Sequence, residues 1–399
     1  MSAPRDTSRT AATGRRPGID GMLLGAVLLL TTLGAVMVYS ASAVTAQARV
    51  HDQFWFLRRQ LVAGALGVAL LALVVKVGYR RLEALAVPFL LATFVALAAV
   101  LVPGIGRAAG GARRWLDLGP VSFQPAEAAK VALVLYLARS LARKRDKVRL
   151  FSIGFLPNVL VTGALVALCL AERDLGTGVV LVLLLVTLLF AGGARVSYLL
   201  GAVLLSIPIA WKLVAGTPYR MQRIAAFLDP WQYRDGVGFQ IVESLLGIGN
   251  GGWLGQGLGE GKGKLFYLPA AHTDFIAAVI AEEAGLLGVA VVLLLYAVVV
   301  WRGFRATYDA PDAFGCFAAL GVTALVGVQA LVNLAVVFGL LPTKGLTLPF
   351  LSYGGSSLLT LLFAAGVLLS VSAGRGGFLR HGSQAVRLPR AAAAAGSAP

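Results

Sequence analysis

Long apolar runs alternate with short polar breaks along this chain, and run length carries the first prediction. Segments such as "GMLLGAVLLLTTLGAVMVYSASA" and "GVVLVLLLVTLLFAGG" approach or exceed the ~18 apolar residues of a helix that crosses a bilayer. The pattern predicts ten spans, at about 22–44, 60–76, 85–103, 124–142, 153–171, 174–193, 197–215, 273–301, 313–339 and 351–374. The fold class expected is an all-α polytopic membrane protein with ten transmembrane helices. The second span is short, and only the polar turn "ERD" separates the fifth from the sixth. An even count puts both termini on one side. The first apolar run is too long for a signal peptide, so no cleaved leader is expected. Residues 1–20 and 376–399 are low in complexity and expected to be disordered. They flank one membrane domain, 21–375, whose longest loop is 216–272.

Lysine and arginine choose the side of the termini. Arg5, Arg9, Arg15 and Arg16 precede the first span; Lys76, Arg80 and Arg81 follow the second; "ARKRDKVR" follows the fourth; Arg302, Arg305, Arg375 and Arg380 follow the eighth and tenth. The positive-inside rule makes that face cytoplasmic. The opposite face breaks the rule. "GRAAGGARRW" carries Arg107, Arg113 and Arg114, the long loop carries Arg220, Arg223, Arg234, Lys262 and Lys264, and Lys344 lies in the last external loop. Cations kept where topology disfavours them point to an anionic ligand outside, against the plainer reading of solvated loops.

Composition agrees with the membrane reading. The chain of 399 residues is 58% hydrophobic and 13% charged, against about 25% charged in soluble domains. The net charge of +17 is met by anionic membrane lipids and the inside bias; no aromatic-basic motif implies nucleic acid. Cys169 and Cys316 sit in apolar helices without metal or disulfide spacing.

Polar residues inside spans are costly and mark function by default. In "FQPAEAAK", Glu127 and Lys130 share a helix face and can pair, either to fix helix packing or to meet a ligand. Gln329 and Asn333, four apart, suit interhelical hydrogen bonds. Asp274 opens the eighth span in "AHTDF". Helical geometry sets Glu282 about 80° round from it and about 12 Å deeper, and Glu283 about 180° round, so the three acids are not one site. A partly desolvated Asp274 could accept a proton from a sugar hydroxyl; as a helix N-cap it would be merely structural. "GIGNGGWLGQGLGEGKGK" contains G-x-G-x-x-G but lacks a preceding strand, so a dinucleotide fold is excluded. It reads as a mobile external loop able to approach an anion. In "LLPTKGLTLPFLSYGGSS", prolines and paired glycines interrupt a helix, as tolerated only inside protein or beside a wet cavity.

Taken together, "RRWLDLG…FQPAEAAK", "RIAAFLDPW…GFQIVESLLGIGNGG", "KLFYLPAAHTDFIAAVIAEEAG" and "GLLPTKGLTLPFLSYGGSS" resemble, in order over about 20–375, the SEDS polymerases of bacterial cell-wall synthesis. Lys344 makes the last motif more similar to the cell-division branch than to the elongation branch, with the sporulation branch a closer competitor. The resemblance implies a peptidoglycan glycosyltransferase acting on lipid II beside a class B penicillin-binding protein and other division proteins. It assigns the essential aspartate to Asp274. The same motifs make Arg113, Arg114, Trp115, Gln124, Glu127, Lys130, Arg220, Arg223, Lys264, His272, Thr273, Lys344, Ser352, Ser356 and Ser357 candidate substrate contacts. No protein metal site is visible, although a divalent cation, Mg or Mn, could accompany the pyrophosphate. The chain departs from the family pattern at Ala126, Glu172, Arg173, Glu243 and Ala270.

Overall fold

The computed structural model describes residues 18–109, 112–117, 119, 122–261 and 271–374. The expectations for both chain ends, for Lys262, Lys264 and Ala270 fall wholly or largely outside them. Helices α1 (Gly21–Val50), α2 (Trp55–Val77) and α3 (Tyr79–Leu101) lead to a small sheet, and α4 (Pro125–Lys144) follows it. After a 3₁₀ turn and a π-turn come α5 (Leu156–Ala171), α6 (Leu175–Ala191) and α7 (Val196–Ala215). Two shorter helices, α8 (Pro218–Leu228) and α9 (Phe239–Gly251), precede α10 (Ile276–Asp309), α11 (Ala313–Val337) and α12 (Gly355–Ala373). Among the described residues, seven helical segments are long and apolar enough to cross a membrane: α1, α2, α3, α5 with its lead-in turn, α10, α11 and α12. The chain is therefore a multi-pass membrane protein. Each predicted span coincides with a helix, to within a turn or two at its ends.

Helix α4 lies at the centre, packed against α3, α5, α6, α11 and α12. Its buried face is rich in alanine (Ala126, Ala128, Ala129, Ala132 and Ala138). Small side chains let neighbouring backbones approach, which is what drives helix association where lipid is as apolar as the core. Helix α12 packs along α2, and α10 packs between α1 and α11. At the start of α1, Asp20 caps Leu23 N and pairs with Arg302 of α10, tying two distant helices.

Two findings depart from the expectations drawn from the sequence, the first from the all-α fold class. First, Gly106–Ala109, Ala112–Asp117 and Ser122–Phe123 form an antiparallel sheet, β1-β2-β3. Ala109 pairs with Ala112, and the Gly-Gly between them is a hairpin signal in the sequence. Second, the described part of the glycine-rich run is not a free loop: α9 covers it as far as Gly251, and residues 252–257 bond to α10. Helix α10 breaks at Gly285 (φ 64°, ψ −162°), and the run repairs the break. Gln256 N donates to Glu282 O (3.0 Å) and Gly257 N to Glu283 O (3.0 Å), while Leu286 N donates to Gly252 O (2.9 Å). A break inside an apolar helix must find such partners, because lipid offers none. A Cβ on Gly285 would stand 2.3 Å from Gly255 N, on top of the positive φ. Gly285→Ala is expected to destabilise by roughly 1–3 kcal/mol, read as a lowered Tm in detergent. Gly249→Ala, where an added Cβ meets nothing within 4 Å, is the control that keeps its Tm.

Candidate active site

At the end of the bundle that carries the sheet, segment 271–275 meets the irregular chain 338–354, the start of α4 and the α5–α6 turn. Asp274 lies there, half-buried. It is not a helix cap: Phe275 holds that position, and no side chain bonds the end of α10. Three successive carbonyls fix the backbone instead. His272 O accepts from Tyr353 N (2.9 Å), Thr273 O from Ser352 Oγ, and Asp274 O from Asn333 Nδ2 (2.9 Å). Asn333 also donates to Leu346 O (2.6 Å), and Ser352 Oγ accepts from Leu348 N (2.8 Å). The His272 ring packs against Phe56 (4.5 Å) and Tyr353 (5.6 Å). The far side is closed by Gly345, where a Cβ would lie 3.1 Å from Asp274 Oδ2. A carboxylate clamped this way is preorganised.

Its charge environment is mixed. Burial pushes the Asp274 carboxyl up to about 6; Arg114 and Arg223 oppose the rise and Asp174 adds to it. Both arginines are held by carbonyls. Arg114, on β2, donates from Nε to Glu172 O (3.1 Å) and from Nη2 to Arg173 O (2.6 Å). Arg223, on α8, donates from Nη1 to Thr343 O (2.9 Å). Carbonyl partners orient a guanidinium without cancelling its charge, so both fields reach the site. Burial holds His272 down to about 4, leaving it neutral at pH 7 and unsuited to being a cationic anchor.

Beneath Asp274 runs a buried polar chain. Lys130, 1% exposed, donates to Glu127 Oε1 (2.9 Å) and Gln329 Oε1 (2.9 Å), and its ammonium also lies 2.9 Å from Glu127 Oε2 as an ion pair. Gln329 Nε2 donates to Thr347 O (2.9 Å), and Thr347 Oγ1 meets Ser357 Oγ at 3.0 Å. Ser356 Oγ accepts from Gln124 N (2.9 Å) and donates to Ser122 O (3.2 Å), linking α12 to the sheet. Glu127, Lys130, Ser352, Ser356 and Ser357 are thus buried supports around the mouth, whereas Gln124 is partly open.

The remaining candidates spread outward. Arg113 is exposed on β2, Trp115 pairs with Arg107 across the sheet, and Arg220 is half-buried one turn before Arg223. Lys344 is half-buried, and burial lowers its amine below the ordinary lysine range. Glu282 and Glu283 are buried away from Asp274, and Glu283 accepts from Ser40 Oγ (2.7 and 2.6 Å). Sequence reasoning missed Asp174 as a site neighbour. It caps α6 through Thr177 N (3.0 Å) and Thr177 Oγ1 (2.9 Å), and Gln124 Nε2 reaches it at 3.5 Å. The polar "ERD" turn between two apolar runs was the available signal. Beside the mouth, a wholly apolar groove of about 610 Å³ runs between α2, α3, α4 and α12, lined by Leu82, Phe89, Phe123, Ala128, Leu135 and Phe363 among others. Phe123 directly precedes Gln124, so groove and mouth adjoin. Among the described residues, no three His, Cys, Asp or Glu side chains gather as a metal site.

The chain is similar to known proteins in sequence and in fold. The protein named probable peptidoglycan glycosyltransferase FtsW of Geobacter sp. (strain M18) is 48% identical over 358 residues, 90% of this chain and 98% of that protein. Stage V sporulation protein E of Bacillus subtilis (strain 168) is 40% identical over 360 residues, 90% of this chain and 98% of its own. A chain of a solved peptidoglycan synthase complex that coordinates polymerization and crosslinking superposes with a TM-score of 0.74 at 34% identity, covering 89% of this chain and 98% of that one. The family model described as "Cell cycle protein", spanning FtsW, RodA and SpoVE, matches residues 21–376, and the chain belongs to that family.

Proposed function

We propose that Asp274 is the general base of lipid II polymerisation. The chain is a peptidoglycan glycosyltransferase of cell division, as its relatives' names and its motifs support. Asp274 takes the proton from the 4-hydroxyl of the acceptor GlcNAc. That oxygen attacks C1 of the donor MurNAc, the C1–O bond to pyrophosphate breaks, and undecaprenyl pyrophosphate leaves with inversion. The observation that carries this reading is a half-buried carboxylate, fixed through three consecutive backbone carbonyls, within the field of two guanidiniums that are themselves held by carbonyls. Arg114 and Arg223 meet the developing pyrophosphate charge, with Arg113, Arg220 and Lys344 further out; Lys264, outside the described residues, is a further candidate for that task. A divalent cation entering with the pyrophosphate would share that task. The apolar groove beside the mouth suits the polyprenyl chain, whose isoprene units then need not leave an apolar medium.

The topology that fits counts α1–α7 and α10–α12 as ten spans. Both termini face the cytoplasm, with α8, α9 and the rest of 216–272 outside. The working assembly pairs the chain with a class B penicillin-binding protein transpeptidase and other division proteins at the septum, in the cytoplasmic membrane. The test is purified protein with its transpeptidase partner in vesicles, given labelled lipid II. Polymer is expected. Transbilayer movement of the lipid without polymer would instead mark a flippase.

A further inference from the structure

The α5–α6 turn holds an acid that the reaction above does not use. Glu172 is 1% exposed, and neither carboxyl oxygen has a hydrogen-bond partner among the described residues. Its backbone carbonyl, not its side chain, receives Arg114 Nε. The groups around it are Arg114 from β2, Asp174 at the start of α6, its neighbour Arg173, and Cys169 of α5, which Lys130 of α4 also reaches. Asp174 spends its oxygens on Thr177 and Gln124 and stands as the nearby negative charge. A carboxylate buried without donors is costly, and a second one beside Asp174 is costlier.

Resting on the polymerase reading, we propose that Glu172 is a positioning residue that works only in its neutral form, keeping the charge of Arg114 available to Asp274 and the leaving pyrophosphate. If Glu172 ionises, Arg114 gains a carboxylate partner inside the protein. Its field at the mouth is then cancelled, and the negative potential around Asp274 rises. Burial, and then Asp174, push the Glu172 carboxyl up to about 8 against the pull of Arg114. Polymerisation should therefore fall as pH rises through about 8, a limb separate from any set by Asp274. The Lys344 amine, lowered by burial, can add its own alkaline loss, so the substitution decides.

The experiment follows labelled lipid II polymerisation with the partner transpeptidase from pH 5.5 to 9.5. Wild type should lose rate above about pH 8. Glu172→Gln, isosteric and permanently neutral, should match wild type at pH 7 and lose clearly less rate than wild type between pH 8 and 9, keeping only the part of the fall that Lys344 sets. An unchanged alkaline fall in Glu172→Gln overturns the proposal. Thermal unfolding tests the neutral state without turnover. A folded-state carboxyl raised above its unfolded value loses stabilisation as pH climbs between the two. The Tm advantage of Glu172→Gln over wild type should grow from about pH 5 and level off above about 8. A pH-independent difference overturns the proposal even if the enzyme makes no polymer. Wild type lacking polymer at every pH, with the Tm trend intact, would instead count against the polymerase reading.

Discussion

Asp274→Asn is expected to cut glycan polymerisation to a small residual rate, about 10²–10⁴-fold below wild type, while leaving lipid II bound. Asparagine has the shape of aspartate but cannot take the acceptor's proton, and a positioned general base contributes about 10²–10⁴ in rate. That is roughly 3–5 kcal/mol of barrier. Structural collapse does not explain such a loss, because the clamps on this segment hold backbone carbonyls of 272–274 that the substitution leaves in place. Removing the carboxylate also leaves the Arg114 and Arg223 fields uncompensated. Lipid II, an anionic pyrophosphate, should then bind as tightly as to wild type or more so. Polymer length on gels and equilibrium binding of labelled lipid II, measured on the same preparation, separate the two effects.

Lys130→Ala is expected to unfold the centre of the bundle. The lysine is 1% exposed and holds Glu127 and Gln329 together, so its loss leaves a buried carboxylate uncompensated. Breaking a buried pair from one side costs about 3–5 kcal/mol, a large part of the roughly 5–15 kcal/mol that a folded domain has. Replacing both charges with apolar groups of similar volume often restores stability. Glu127→Leu with Lys130→Met is therefore expected to recover most of the lost Tm. Its activity then reports on the network alone. Ser357 and Thr347 lose their link to α4, so the mouth should be less well positioned and turnover reduced at near-normal Tm.

The spans were legible because burying a helix in lipid requires long apolar runs, and this chain has them in plain sequence. Asp274 was legible only in part. Its isolation from Glu282 and Glu283 followed from helical angles, but whether it capped α10 or stood free depended on tertiary contacts from α11 and from 338–354. The Glu127–Lys130 pair was visible from its three-residue spacing. Its burial was not, since an N-terminal turn of α4 surrounded on all sides reads like one at a surface. Glycine content announced irregular backbone, found at 252–261, without saying what it would meet. The answer, a repair of the break at Gly285, is a long-range contact with no local signature. The sheet lies in a basic stretch that reads as a charged loop, although its sequence carries a Gly-Gly hairpin signal. Glu172 and Asp174 looked like a hydrophilic connector until folding placed them under Arg114.

The pH dependence of wild-type polymerisation between pH 5 and 7.5 tests the central assignment most directly. A base must be ionised to act, and burial sets the Asp274 carboxyl at about 6. The rate at limiting lipid II should fall close to tenfold per pH unit well below 6 and level off above it. The small residual rate of Asp274→Asn should lack that inflection. A wild-type rate that stays flat from pH 5 to 7.5, or an inflection that survives in Asp274→Asn, would contradict a general-base role for Asp274.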